Sequence, residues 1–181
     1  NLSNTAVTIN ANGEALDLTA ATADGTSSFG YTITNSGGAD TITGSAAADV
    51  ITAGTGGDTI NGGAGNDSIT AGAGTDTITV ASGTDTITNV SGTGGSADNI
   101  IVTSAASGAH LTLGAAWTAD SDTVNNLSNT AVTIDASGKA LDLTAATANG
   151  TSSFGYTITN SGGSDTITGS AAADVITAGT G

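Results

Sequence analysis

An aspartate recurs every nine residues along the middle of the chain: Asp40, Asp49, Asp58, Asp67, Asp76 and Asp85. Two positions after each stands an isoleucine: Ile42, Ile51, Ile60, Ile69, Ile78 and Ile87. Glycines crowd the positions before each aspartate. Each nine-residue unit therefore divides into a six-residue glycine-rich loop and a three-residue strand. Two units make one turn of about 18 residues with a strand on each side, and successive turns stack at the inter-strand spacing of about 4.8 Å. The expected fold class is all-β: a parallel β-helix or β-roll solenoid.

In such a stack, aspartates 18 residues apart lie above one another. One edge carries Asp40, Asp58 and Asp76, and the opposite edge carries Asp49, Asp67 and Asp85. Threonines such as Thr41, Thr59, Thr77 and Thr79 flank the isoleucines with period two, as on a strand with one buried face. They are expected on the outer face.

Composition agrees with a thin core. The chain has 28 glycines, no proline, cysteine or methionine, and only 3% aromatic residues. The apolar fraction of 37% suits stacked turns of small and branched side chains. Net charge is −15, with Lys139 the one basic residue. Nucleic acid is excluded as an expected partner, because phosphate binding needs Lys and Arg. No apolar run approaches a membrane span, so no membrane insertion is expected. Without cysteine there is neither a disulfide framework nor a thiolate metal site. No Ser/His/Asp motif with a glycine elbow and no phosphate loop is visible, so the chain does not read as an enzyme.

A long duplication overlies the short period. Residues 126–181 restate residues 1–56 at an offset of 125, with 51 of 56 positions identical. The expected organisation is one solenoid unit over 1–125, followed by the start of a second over 126–181. The first unit divides into a strand pair in 1–35, the aspartate ladder in 36–90, and a strand pair and return in 91–125. In the second copy, Asp165 and Asp174 stand where Asp40 and Asp49 stood. The pattern is already running at both ends of the sequence, so it reads as a window from a longer tandem array.

Several residues outside the ladder invite a reading. Val7–Ile9 and Leu16–Leu18 form short strands around an Asn12-Gly13 turn, with Asp17 on the surface. Residues 20–28 read as an inserted loop. Tyr31 stands where an aspartate would and marks the end of the ladder, packing with Phe29. Four extra residues precede Asp98, whose Ile100 rejoins the ladder. Ile100–Val102 and Leu111–Leu113 form a further strand pair, with His110 at a strand edge. Trp117 is read as part of a loop that closes one end of the core, the alternative being a contact between neighbouring chains. The sequons at Asn89 and Asn126 are ascribed to the abundance of Asn.

The aspartate ladder carries the chemistry. Two carboxylates about 4.8 Å apart repel by roughly 3.5 kcal/mol at an effective dielectric near 20. A stack of them opposes folding unless a cation intervenes. Calcium suits such a site, being hard, oxygen-seeking and tolerant of irregular geometry. With no Cys or His in the ladder, zinc and copper are poor candidates. The unit Gly62–Thr70, GGAGNDSIT, fits G-G-x-G-x-D-x-U-x, where U is a large aliphatic. With five companions in register, the stretch resembles the repeats-in-toxin (RTX) calcium β-roll family, which includes secreted toxins and proteases, adhesins and surface-layer proteins.

That resemblance implies Ca2+ between successive turns, held by aspartates and loop carbonyls. The best-matching loops are Gly62, Gly63, Gly65 and Asp67; Gly54, Gly56, Gly57 and Asp58; and Gly72, Gly74 and Asp76. Asp40, Asp49, Asp85, Asp165 and Asp174 complete the candidate ligands. The Asp49 loop, GSAAAD, and the Asp85 loop, VASGTD, each keep one glycine and depart from the pattern. The function expected is a structural repeat of an extracellular calcium-stabilised filament, surface layer or adhesin stalk. Its partners would be neighbouring units and other copies of the same chain. The alternative is an RTX carrier domain of a secreted enzyme or toxin. A third reading, an ice- or carbohydrate-binding threonine face, is permitted by the Thr-x-Thr spacing but not specified by it.

Overall fold

The computed structural model describes residues 7–21, 29–93, 96–103, 106–127, 132–148, 155–163 and 165–179. These residues form a right-through stack of parallel strands, each pairing with the strand one coil further on. One sheet runs β1 (Val7–Asn10), β3 (Phe29–Thr34), β5 (Ala48–Thr52), β7 (Ser68–Thr70), β9 (Gly83–Gly92), β11 (Ala106–Thr118), β13 (Val132–Asp135), β16 (Tyr156–Thr159), β18 (Val175–Thr177). A second runs β2 (Leu16–Asp17), β4 (Thr41–Thr43), β6 (Thr59–Asn61), β8 (Thr77–Val80), β10 (Asn99–Val102), β12 (Val124–Asn125), β15 (Thr147–Ala148). The remaining strands, β14 (Leu141–Asp142) and β17 (Ile167–Thr168), pair with each other and, through β14, with the end of β11.

The nine-residue pattern explains the ladder coils. In β4, β6 and β7 the central isoleucine is buried while its neighbours face outward. Ile33, Ile51, Ile69, Ile87, Leu111, Ile134 and Ile158 stand in register through the first sheet. Ile42, Ile60, Ile78 and Ile100 do the same in the second. All of these are essentially inaccessible to solvent. Thr41, Thr59 and Thr77 line up on the outer face as expected, and so do Thr52, Thr70 and Thr88.

Coil length changes along the stack. Successive members of the first column, starting from Ile9, are 24, 18, 18, 18, 24 and 23 residues apart up to Ile134. Six coils thus account for the offset of 125, and Ile9 and Ile134 are equivalent residues. The 18-residue coils have two strands. The wider coils have room for a third strand segment. In the coil starting at β13, the three are β13, β14 and β15. β11 spans two of the three positions: His110–Thr112 pairs with β13, and Trp117–Thr118 pairs with β14.

This third side changes several expectations. β1 and β2 are not paired with each other. They lie in different sheets and join only to the next coil. The same holds for Ile100–Val102 and Leu111–Leu113. The inserted-loop reading of 20–28 falls mostly on residues 22–28, outside the described residues. Its counterpart in the second copy contains β15, so at least there the stretch supplies a strand. Trp117 is not in a closing loop. It is a strand residue, 1% exposed, and its Nε1 donates to the Asp98 carbonyl at 3.0 Å. A wider coil encloses more volume, and a large ring fills it. His110 is exposed on β11 and Asp17 is exposed, both as expected. Asp17 is capped by Thr19, whose N–H and Oγ1 donate to its Oδ1 and hold its carboxyl below the usual range.

The isoleucine columns are the apolar core of the narrow coils, with Ala53 and Ala71 beside them. Ile60→Ala is expected to cost roughly 2–5 kcal/mol, because the rungs above and below prevent collapse of the cavity. Val50, 48% exposed on the same ladder, should tolerate Thr within about 0.5 kcal/mol. Chemical denaturation of both variants in saturating calcium checks the contrast.

Candidate metal centre

The aspartates do not project into solvent. Asp49, Asp58, Asp67, Asp76, Asp85 and Asp98 are all buried at 2% exposure or less. β4, β6, β7, β8 and β10 begin immediately after their aspartates, while Asp49 and Asp85 lie near the starts of β5 and β9. The Oδ1 of each aspartate accepts the backbone N–H of the residue one coil earlier. Asp40 N donates to Asp58 Oδ1 at 2.9 Å, Asp58 N to Asp76 Oδ1 at 2.9 Å, and Asp76 N to Asp98 Oδ1 at 3.0 Å. On the other side Tyr31 N donates to Asp49 Oδ1 at 2.5 Å, Asp49 N to Asp67 Oδ1 at 2.8 Å, and Asp67 N to Asp85 Oδ1 at 3.0 Å. The carboxylates thus extend the sheet ladder by one hydrogen bond per coil at each edge.

The two columns are those expected from the spacing, with two additions. Asp98 is the last rung of one column, reached after the four extra residues. Tyr31 is the first rung of the other, contributing its N–H and no carboxylate; the side chain of Phe29 lies outside the described residues. Beyond Asp85 the next coil places Ala109 in register, and the carboxylates stop.

The second oxygen of each carboxylate divides the rungs into two groups. Oδ2 of Asp58, Asp67, Asp76 and Asp85 is buried with no hydrogen-bond partner. At the other rungs the protein supplies a donor. Asn35 Nδ2 donates to Asp40 Oδ2 at 2.7 Å, and Ser91 N to Asp98 Oδ2 at 2.8 Å. Ser45 N donates to Asp49 Oδ2 at 2.6 Å, and Ser45 Oγ lies 3.1 and 3.0 Å from the two oxygens. The second copy repeats this at Asp174 with Ser170. Asp165 is exposed.

A buried carboxylate oxygen without a donor is costly, of the order of several kcal/mol for a charged group. Burial accordingly pushes Asp67 and Asp76 up to about 7 and Asp85 up to about 6. Asp58 and Asp98 are raised for the same reason. Repulsion from neighbouring rungs adds to the shift at Asp58, Asp67 and Asp76 but ranks below burial. Loss of hydration thus outweighs the mutual repulsion that the bare spacing suggests.

The four unpaired oxygens fit a hard cation. They lie under loops whose glycines leave space. At Gly62 a Cβ would run into Asp67 Oδ2. Gly56 and Gly74 have φ of 123° and 133°, and at Gly74 a Cβ would collide with the Gly56 carbonyl of the coil before. Among the described residues no three Asp, Glu, His or Cys side chains converge. A cation here would therefore take one or two carboxylates and complete its shell with backbone carbonyls. That donor set belongs to calcium and not to zinc or copper. Asp58, Asp67, Asp76 and Asp85, with the loops of Gly54, Gly56, Gly62, Gly63, Gly65, Gly72 and Gly74, are the residues that would hold it. Bound calcium neutralises the buried charge.

The direction of the shifts fixes a pH dependence. In the unfolded chain Asp67, Asp76 and Asp85 have the ordinary carboxyl value of 3.8, whereas burial in the metal-free fold pushes Asp67 and Asp76 up to about 7 and Asp85 up to about 6. The fold therefore retains protons that the unfolded chain has released. Their contribution is complete below the unfolded value and is lost as the pH rises through the folded values. With a chelator present, the thermal midpoint is expected to fall between pH 4 and pH 8, and Asp67→Asn should flatten that fall. The increment that calcium adds should grow over the same range. Melts followed by circular dichroism measure both. A metal-free midpoint that rises toward neutral pH contradicts the half-paired carboxylates.

Comparison with known proteins adds one finding. The model of the RTX calcium-binding nonapeptide repeat (4 copies) matches residues 34–67, 52–87 and 159–181. No curated protein and no solved structure matches the chain. The matched stretches contain all six aspartates of the first ladder and both of the second copy, and they are the calcium-binding motifs of that family. These stretches are RTX calcium-binding nonapeptide repeats, folded as a parallel β-roll.

Proposed function

We propose that the chain is a segment of an extracellular structural rod, in which calcium-loaded rolls alternate with metal-free three-sided coils along a tandem array. The observation that carries this reading is register. Six whole coils fill the 125-residue offset, so the second copy starts on the strands that end the first: β13 and β14 stack on β11, and β15 on β12. Within an array each unit thus covers the strands that end the unit before it. The neighbouring unit is thus the chief partner. Filament, surface layer and adhesin stalk are uses of the same rod.

Calcium makes the rod conditional on its surroundings. With the ladder oxygens unpaired the roll is weak at neutral pH, and millimolar calcium outside a cell would fold it by mass action. RTX repeat proteins are typically secreted, and this dependence suits a protein that becomes rigid after export. Among the described residues no helix is long and apolar enough to cross a membrane.

Six coils at about 4.8 Å each predict about 29 Å of rod per unit. Small-angle X-ray scattering from proteins with two and four whole units in millimolar calcium is expected to show a constant cross-section and a length difference of about 58 Å. In chelator both should expand as the aspartate-ladder coils become flexible. Units that fold as separate beads on a flexible chain would remove the rod and favour a carrier module.

A further inference from the structure

Among the rungs of Asp49, Asp58, Asp67, Asp76, Asp85 and Asp174, the paired and unpaired kinds differ at one sequence position, four residues before the aspartate. Gly54, Gly63 and Gly72 occupy it in the loops of Asp58, Asp67 and Asp76, and Ala81 occupies it in the loop of Asp85. None of these brings a side-chain donor, and all four aspartates keep an unpaired Oδ2. Ser45 and Ser170 occupy it in the loops of Asp49 and Asp174. There the serine N–H and Oγ close on the carboxylate.

The loop backbone changes with the residue. The three glycines have φ of 94–98°, a conformation that L side chains rarely adopt. Ser45 is not among the non-glycine residues with positive φ, so its loop follows a different path. Its Oγ also accepts the N–H of Ala47 at 3.2 Å, as Ser170 Oγ does for Ala172 at the same distance. The two loops adopt the same arrangement in different settings. Asp49 is buried with another coil stacked beyond it, whereas Asp174 is half-buried in the last described coil. The serine closure is therefore local and needs no neighbouring coil.

We propose that Ser45 and Ser170 take the place of the cation at their rungs, so that Asp49 and Asp174 close without calcium because of the residue four before the aspartate. This deepens the calcium reading above and rests on it. It places the metal-dependent block of one unit at Asp58, Asp67, Asp76 and Asp85. The flanking rungs, satisfied by Asn35, Ser45 and the Ser91 N–H, close without metal. The GSAAAD loop is then a stop in the ion column and not merely a poor match to the repeat.

Calcium counted by equilibrium dialysis at saturation tests this on the 181-residue chain. Ser45→Gly, which frees the loop to take the glycine path and removes the hydroxyl, is expected to raise the count by one. Asp49→Asn is expected to leave the count unchanged, while Asp67→Asn lowers it by at least one. Amide exchange on the unmodified chain gives an independent readout. As calcium is withdrawn, residues 44–49 should keep protection after residues 62–67 have lost it. If Asp49→Asn loses as many ions as Asp67→Asn, or the two loops open together, the serine substitution for metal is wrong although the chain binds calcium. If the unmodified chain binds none, the calcium reading itself falls and this inference with it.

Discussion

Everything in the narrow coils depends on a carboxylate that is buried and half satisfied. One oxygen of each ladder aspartate is bound into the sheet by a backbone N–H from the coil before. That bond aligns the loop with its neighbour and fixes the register. It also fixes the other oxygen in a place where, at four rungs, nothing in the protein reaches it. Native domains are stable by only about 5–15 kcal/mol. Four such oxygens, each costing of the order of 1–3 kcal/mol or more, are comparable with the whole margin. The roll can therefore be stable at neutral pH only when a cation, or a proton, meets that charge.

The apolar core cannot offset this by itself. In the ladder coils it consists of two isoleucine columns with small residues such as Ala53 and Ala71 between them. The two sheets lie close together, and no large ring would fit. The wider coils hold the bulk: Trp117, Leu111 and Leu113 are all buried there. They carry no repeating aspartate. Stability in one region comes from apolar area and in the other from ligand. The continuous column from Ile33 to Ile158 joins the two, so a narrow roll always has metal-independent coils beside it.

The period of nine revealed much of this. Residue type and spacing alone located both aspartate columns, the buried isoleucines, the outward threonines and the return of the ladder at Asp98. They do so because a two-sided coil admits one inward residue per short strand, and that constraint is visible as repetition. The third side of the wide coils was not legible. β11 runs without interruption across a position where its partners β13 and β14 are separate strands, so no turn signal in its own sequence marks the corner. Trp117 looked like a loop residue because GAAWTAD has no alternating pattern, yet packing inside a larger coil holds it on a strand. At the Asp49 loop the sequence alone shows a missing glycine. What matters there is the hydroxyl of Ser45, and only orientation shows that it points at the carboxylate.

Six whole coils per repeat have a consequence for inheritance. Recombination between two near-identical copies, at equivalent positions, deletes or adds 125 residues. Each strand on either side of the join then meets the kind of strand that it met before, and the side-chain columns run across the join as they did in the parent. A repeat that ended part-way round a coil would leave the columns out of step and expose apolar residues at each join. A gene of this design can therefore lengthen or shorten its product in whole steps without ever passing through a misfolded intermediate, and reach can vary between lineages while the coil geometry stays constant.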